Sequence, residues 1–424
     1  MKTLVCIPLA LIAILSAFSA AGAQDLVFDE ARKGSGYLVK PGIWRLDGND
    51  PNLESTADLE ALRQMIGEAK VVGLGESYHT SGGLYLMKHR IFRFLVEEMG
   101  FRAFSIESYW EGAEVAARYV QTCEGDPVTA IRQHIPVWQS TEYGDLVQWM
   151  CEWNSGHPDP ADKLTLFGFD IQQPWYDGVR LIEFLGRIGI GANHEWIAGI
   201  RFCEAVTDTF PFGQIPRARH DACVQALNAV EAHLDQNRAN LVRQIPVENF
   251  EVARLRVVGL RAWEESVFII AHDFAAGYSA RDVGMAYAFF TMQTLRAPGA
   301  KTVVWADNSH VARVPLPTGE RPLGSYLAAA LGKDYVTFAL AAYNTDVDSG
   351  GFCGPVNRTA GSIEDRLDKL GKDALLVDTT KSRFLKRGTY TIGTWKAQPH
   401  KAYDGIIWLK HSAKMHPLVW PACQ

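Results

Sequence analysis

Acidic and imidazole side chains follow four short hydrophobic segments of this 424-residue sequence. The residues are Glu76, His79, Glu107, Asp170, Asp307 and His310. Carboxylates and imidazoles that converge can orient one another and exchange protons with a bound water molecule. Each residue alone is typical of a helix cap or a surface loop, but their recurrence after four segments favours one acid–base site.

The segment 73–79 (GLGESYH) carries the most specific pattern. Glu76 and His79 are three residues apart, so they share one face if the turn after the glycines opens a helix. The carboxylate would then orient the imidazole and stabilise the cation formed when His79 accepts a proton. Ser77 does not fit the GxSxG nucleophile motif, which makes a serine hydrolase the weaker alternative.

Lys88, His89 and Arg90 lie on the next predicted helix, and two placements are open for them. The three residues could form a solvated helix face. Alternatively, Lys88 could project towards the same pocket and bind an anion or a carbonyl group. The helical spacing alone does not choose between these placements.

The elements that position these residues alternate between strand and helix patterns. An α/β fold follows, with a mostly parallel central sheet flanked by helices. The carboxyl ends of parallel strands surround a ligand-binding crevice, which is where the candidate residues fall. Strands are predicted at 70–75, 102–106, 163–169, 301–306, 335–342, 374–378 and 405–410, and helices at 59–69, 84–99, 111–120 and 174–188.

The stretch from about 190 to 297 has a different pattern. It contains long periodic segments at 217–242, 249–275 and 281–296 without a convincing strand. We expect a helical insertion or subdomain within one α/β body that spans 24–424. Residues 24 to about 58 are polar with glycine and proline, and we expect an N-terminal arm there.

Composition limits the function classes. The chain is 47% hydrophobic and 21% charged, which argues against disorder. Its net charge of -6 gives no reason to expect a nucleic-acid partner. Residues 1–23 have a basic start, an apolar run and small residues ending at Ala23, which is the pattern of a cleaved signal peptide. We therefore expect a secreted or periplasmic protein with no membrane span in the mature chain.

Cysteine usage agrees with export. Six cysteines remain after removal of the signal peptide, and an even number in an exported chain indicates disulfides. Six cysteines allow 15 pairings. The simplest pairs sequence neighbours, giving Cys123–Cys151, Cys203–Cys223 and Cys353–Cys423.

Several motifs together resemble the erythromycin esterase family. They are GLGESYH, the following LYLMKHRIFRFLVEEMGFRAFSIES, LFGFDIQ and VVWADNSHVAR, and the resemblance extends from about residue 55 to 410. It implies hydrolysis of an ester or lactone without a serine nucleophile, with His79 as general base. It also implies that Glu76, Glu107 and His310 match the family's catalytic positions. Two positions differ, since the family motif has histidine in place of Asp307 and often arginine in place of Lys88.

The sequence therefore predicts an exported hydrolase of a small-molecule ester or lactone, macrolide-like compounds included. His79, held by Glu76 or Glu107, would deprotonate the attacking water. Around the substrate, His310 and Lys88 would polarise the carbonyl, while Asp170 and Asp307 would orient their neighbours.

Two alternatives remain open. No cofactor is required, but Glu76, His79, Glu107 and His310 are acceptable ligands for a divalent metal that would activate water. In a different class, the change at Asp307 would have removed catalysis and left an exported ligand-binding protein.

Overall fold

A computed structural model describes residues 36–172, 175–203, 214–348, 353–356, 359–385 and 387–420. The predicted signal peptide lies outside these residues. None of the helices in this described part is long and apolar enough to cross a membrane.

Most of the described strands form one mixed sheet in the order β1-β2-β9-β12-β7-β3-β6-β4-β5, with β8 paired to β7. The strands are β1 (Leu38–Lys40), β2 (Ile43–Arg45), β3 (Val71–Leu74), β4 (Phe101–Tyr109), β5 (Thr165–Asp170), β6 (Lys301–Trp305), β7 (Tyr335–Asp348), β8 (Cys353–Pro355), β9 (Ala374–Asp378), β10 (Tyr390–Ile392), β11 (Trp395–Ala397) and β12 (Gly405–Ser412). The strands β10 and β11 form a separate antiparallel hairpin.

Six contiguous strands from β12 to β5 run parallel, which confirms the predicted α/β class. Two details differ from the sequence analysis. The strand β9 pairs antiparallel to β12, and the predicted N-terminal arm contributes β1 and β2 to the sheet edge. These two strands have three residues each, which is too short for a period-two pattern to stand out in the sequence.

Helices cover both faces of the sheet. They are α1 (Glu60–Ile66), α2 (Gly82–Met99), α3 (Ala113–Thr122), α4 (Pro127–Ile131), α5 (Thr141–Gly156), α6 (Trp175–Arg187), α7 (Glu195–Ile200), α8 (Arg217–Gln244), α9 (Val247–Ile269), α10 (Phe274–Arg296), α11 (Asn308–Val311), α12 (Leu323–Leu331), α13 (Ile363–Asp368) and α14 (Pro399–Ala402). Short 3-10 turns occur at Ala57–Leu59, Pro136–Trp138 and Gly332–Asp334.

Alternate residues along a strand pack into two separate hydrophobic cores. On β3, Val72 and Leu74 pack into the core beneath α2 and α5, while Val71 packs into the core beneath α10 and α12. This alternation is the period-two geometry of a strand that is covered on both faces. A third core lies among α6, α7, α8 and α9, and α10 packs against both α9 and β5.

Two of the expected disulfides are present. Cys123 at the end of α3 is bonded to Cys151 in α5, and Cys203 after α7 is bonded to Cys223 in α8. The third expected pair, Cys353–Cys423, lies outside the described residues because Cys423 and the side chain of Cys353 are not among them.

The segment Lys88-His89-Arg90 is buried rather than a solvated helix face. The guanidinium of Arg90 binds the carboxylate of Asp58 through two nitrogens, at 2.7 and 2.8 Å. This part of the helix is enclosed by neighbouring elements, so the charges it carries need buried partners.

Two buried histidines should make stability depend on pH. Burial lowers the pKa of His134 to about 3 and that of His89, which also lies near Arg93, to about 3. Within the described part of the chain, neither ring has a hydrogen-bond partner. Both rings are therefore neutral in the folded state, whereas the unfolded chain binds protons below about pH 6.5. This contribution to stability is complete above about pH 6.5 and is lost as the pH falls.

We predict that His134→Phe reduces this acid sensitivity. When the pH is lowered from 7.5 to 5, the free energy of unfolding of the variant minus that of wild type should rise by about 2 kcal/mol. Urea unfolding at the two pH values measures the change. The control is Tyr143→Phe, because the Tyr143 ring contacts His134 but does not titrate in this range. An identical difference at both pH values would contradict the prediction.

Candidate active site

The candidate residues meet at one edge of the sheet. The strands β3, β6, β4 and β5 are adjacent and parallel, so their carboxyl ends face the same side. Glu76 follows β3, Asp307 follows β6, Glu107 lies near the end of β4, and Asp170 is the last residue of β5. The topology thereby brings together side chains that are far apart in sequence.

Glu76 and His79 form the accessible part of the site. Nδ1 of His79 lies 2.8 Å from Oε1 of Glu76, and the His79 side chain is 32% exposed while that of Glu76 is completely buried. The ring of Trp138 meets the imidazole edge to face at a centroid distance of 5.0 Å. The imidazole is thus held on one side and open to solvent on the other.

Backbone hydrogen bonds join the loop that carries Glu76 to the loop after β6. The backbone N–H of Glu76 donates to the carbonyl of Ala306 at 3.1 Å, and that of Asn308 donates to the carbonyl of Glu76 at 2.8 Å. A Cβ atom at Gly75 would collide with Asn308, which is why this position needs glycine. Asn308 is itself held by two hydrogen bonds to the backbone of Leu340.

Lys88 lies behind Glu76 rather than beside an open pocket. Its completely buried ammonium contacts the Glu76 carboxylate and donates to the carbonyl of Ala306 at 3.2 Å. It also lies over the ring of Trp305, at 4.5 Å from the centroid. This placement differs from the substrate contact that the sequence suggested, and it makes Lys88 the ion-pair partner of Glu76. Burial lowers the pKa of Lys88 well below its usual value, while the negative charges of Glu107 and Asp307 oppose that shift.

Glu107 contacts three further residues of the site, Asp307, Arg281 and His310. Its Oε2 accepts a hydrogen bond from the backbone N–H of Asp307 at 2.8 Å. Its Oε1 lies 3.0 Å from Nη2 of Arg281 and 3.2 Å from Nε2 of His310. Burial alone would raise the pKa of Glu107, but His310 and other nearby positive charges hold it well below its usual range.

Arg281 is a site residue that the sequence analysis missed. Its guanidinium binds Asp170 through two nitrogens, at 2.8 and 3.1 Å, and its side chain is 13% exposed. The completely buried Asp170 therefore holds Arg281 in a fixed orientation. A signal was present, because Arg281 and Asp282 are the only charged residues of α10 before its final Arg296.

His310 is enclosed by charged and aromatic partners. Nδ1 lies 2.8 Å from Oδ2 of Asp282 and 2.8 Å from the hydroxyl of Tyr278, whose ring stacks on the imidazole. Burial by itself lowers the pKa of His310, but the carboxylates of Asp282 and Glu107 outweigh it and raise the pKa to about 10. His310 is therefore a cation at neutral pH.

Asp307 caps the short helix α11. Its Oδ1 accepts hydrogen bonds from the backbone N–H of Ser309 at 2.7 Å and from the Ser309 hydroxyl at 2.6 Å. The backbone of Asp307, rather than its side chain, contacts Glu107. The Asp307 carboxylate is therefore bound by Ser309 and caps the helix, a position that aspartate commonly occupies.

The serine alternative lacks the geometry of an activated nucleophile. The hydroxyl of Ser77 is buried and forms no hydrogen bond with any residue that the structure describes. A serine nucleophile needs a base within hydrogen-bond reach. Ligand atoms of Glu76, His79 and Glu107, in contrast, lie within 4.8 Å of one another, a grouping that could hold a metal ion.

Comparison with known proteins finds relatives along most of the chain. The protein YbfO of Bacillus subtilis (strain 168) is 23% identical over 420 residues, covering 85% of this chain and 88% of its own length. Erythromycin esterase type II of Escherichia coli is 20% identical over 322 residues, covering 71% of this chain and 75% of its own.

Solved structures share the fold. A crystal structure of a Bacillus cereus protein has a TM-score of 0.72 at 22% identity and covers 92% of this chain and 99% of that chain. The erythromycin esterase mutant EreC in its open conformation has a TM-score of 0.70 at 19% identity and covers 88% of this chain and 97% of that chain.

The erythromycin esterase family model matches residues 96–412, which include Glu107 and His310. Because this match spans well over half of the sequence, the chain belongs to the erythromycin esterase family.

Proposed function

We propose that this protein is an exported hydrolase that cleaves a carboxylic ester or lactone with His79 as the general base. The observation that carries the proposal is the position of His79, which is fixed at Nδ1 by Glu76 and exposed to solvent elsewhere. Family membership supports ester hydrolysis. The names of the Escherichia coli relatives suggest macrolide lactones as the first substrates to assay.

In the proposed reaction, Nε2 of His79 removes a proton from water while the hydroxide oxygen bonds to the ester carbonyl carbon. The carbonyl electron pair moves to oxygen and forms a tetrahedral oxyanion. When that intermediate collapses, the bond to the alkoxide breaks and the imidazolium returns its proton to the leaving oxygen. Glu76 stabilises the imidazolium between these steps because it is an ionised neighbour of Nδ1.

The cations near Glu107 are suited to stabilising the oxyanion. Arg281 is the more exposed of them, and its link to Asp170 fixes its direction before substrate binds. Fixed charges of this kind favour the transition state because they need no reorganisation during the reaction. We therefore assign Arg281 to the oxyanion, with His310 supporting Glu107, and Lys88 and Asp170 as positioning residues.

Replacement of His79 by alanine tests the base. We predict that His79→Ala lowers kcat for a hydrolysed ester at least about 1000-fold, because general base catalysis and the ordered water are both lost. The thermal midpoint should remain near that of wild type, since this side chain is partly exposed. His157→Ala, at the C-terminal end of α5, is the control and should retain activity. Undiminished turnover by His79→Ala would exclude this mechanism.

The role of Lys88 as counter-ion of Glu76 can be separated from a role in substrate binding. We predict that Lys88→Met lowers the free energy of unfolding by about 3 to 5 kcal/mol, because it leaves a buried carboxylate unpaired. The double variant Lys88→Met/Glu76→Gln should recover most of that stability without recovering activity. Urea unfolding of both single variants and the double variant measures the coupling. Additive effects on stability would show that Lys88 does not act through Glu76.

A metal-dependent hydrolase is the second candidate, favoured by the closeness of Glu76, His79 and Glu107. We prefer the metal-free mechanism because Lys88 already contacts the Glu76 carboxylate and Arg281 already contacts that of Glu107. We predict less than about 0.2 equivalents of zinc, manganese or iron in purified protein, and unchanged kcat after chelator treatment. Stoichiometric metal whose removal abolishes activity would select the second candidate.

A further inference from the structure

A small polar cavity lies beside the catalytic loop and has no part in the proposed hydrolysis. It is enclosed between Tyr78, the end of β7, the start of α13 and the tip of the β10–β11 hairpin. Its free volume of about 20 Å³ is enough for one water-sized group. Hydroxyl-bearing side chains make up much of the lining, including Tyr78, Thr345, Thr359 and Ser362.

Glu364 provides the carboxyl group of this cavity, and burial raises its pKa above the usual value. Its side chain is buried, with the residue only 6% exposed. Its Oε1 accepts a hydrogen bond of 2.6 Å from the backbone N–H of Gly393. Its Oε2 is also buried but has no hydrogen-bond partner within the described part of the chain. A buried carboxylate oxygen without a partner is unfavourable, and a bound polar group would relieve that cost.

The cavity is connected to the catalytic centre through Tyr78. This residue lies next to His79 in the chain, and burial raises its pKa to about 12, with further contributions from the charges of Glu364 and Asp307. Tyr78 therefore lies within electrostatic reach of both the cavity carboxylate and the helix cap beside Glu107. Because Tyr78 lines the cavity and precedes His79 in the chain, the cavity borders the loop that carries the proposed base.

The β10–β11 hairpin fixes the opposite wall. Gly393 has a φ of 60°, and a Cβ atom there would lie 2.6 Å from the carbonyl oxygen of Ser77, so its close approach to the catalytic loop requires glycine. Two residues further on, Trp395 packs against Tyr278 with a centroid distance of 5.4 Å. The hairpin thus contacts both the His79 loop and the residue that stacks on His310.

We propose that this cavity is a specificity subsite for one hydroxyl group of the ester substrate, bound by Oε2 of Glu364. This inference deepens the proposed function and rests on it. The cavity is large enough for one hydroxyl group. A hydroxyl also suits either form of the carboxyl group, because it can both donate and accept a hydrogen bond.

The test compares matched substrates and matched variants of the full chain. The substrates are p-nitrophenyl hexanoate, its hydroxyhexanoate isomers and the aminohexanoate ester. The corresponding anilides, titrated by calorimetry, report binding independently of ester turnover. The variants are Glu364→Leu, Glu364→Gln and Ala342→Val, which fills the cavity without altering its carboxylate. Asp368→Asn is the control, a carboxylate on the same helix that does not line the cavity.

We expect wild type to prefer one hydroxyhexanoate isomer over hexanoate by about 10- to 100-fold in kcat/KM, with a matching preference in anilide binding. Glu364→Leu and Ala342→Val should each reduce the ratio to within about twofold of unity. Glu364→Gln should keep part of the preference, because its amide can hydrogen-bond a hydroxyl. Asp368→Asn should keep all of it.

Three results would overturn the subsite. Wild type could hydrolyse or bind the whole panel without hydroxyl preference, Glu364→Leu could retain the preference, or aminohexanoate could be favoured over every hydroxyhexanoate. Hydrolysis of hexanoate without any hydroxyl preference would leave the proposed function intact. Selective anilide binding without turnover of any ester would instead support the subsite and count against the proposed hydrolysis.

Discussion

Charge neutralisation at the carboxyl edge of the parallel sheet is the constraint on which the rest of the site depends. Glu76, Glu107 and Asp170 are almost completely buried at the ends of β3, β4 and β5, which belong to one run of parallel strands. Carboxylates in such surroundings stay ionised only when cations and hydrogen-bond donors lie against them. In this chain the cations come from two helices on opposite faces of the sheet, Lys88 from α2 and Arg281 from α10.

This arrangement makes the two helices part of the proposed catalytic centre. Lys88 contacts Glu76, and Glu76 orients the imidazole of His79. The packing of α2 on the sheet therefore positions this part of the site. Arg281 links Glu107 to Asp170, so the other side is set by α10, which packs against β5. Since every charge has its partner before a substrate arrives, little reorganisation remains for the reaction, which is the condition for effective electrostatic catalysis.

The change from histidine to aspartate in the family's motif is accommodated by the same network. The carboxylate of Asp307 caps α11, while its backbone N–H binds Glu107. In this chain the contact of position 307 with Glu107 is made by the main chain, which any residue except proline can supply.

The hairpin near the C-terminus has a role that its position in the sequence does not suggest. Gly393 and Trp395 bring two short strands against the His79 loop and the Tyr278–His310 pair. These contacts enclose the Glu364 cavity. Specificity in this chain would then arise from a segment remote in sequence from the catalytic motifs.

The sequence by itself determined the α/β class, two disulfide pairs and the closeness of Glu76 to His79. Strand and helix periods determine the class, whereas the pairing of neighbouring cysteines was the simplest of 15 possibilities. The contact between Glu76 and His79 arises in a loop before α2 rather than on the helical face that their spacing suggested. Only the tertiary structure decided the partners of Lys88 and Arg281 and the short strands at the sheet edge. Arg281 binds Glu107 across 174 residues of chain and Asp170 across 111. Such pairings depend on how α10 packs on the sheet, because periodicity can place a charge on a helix but cannot choose its partner.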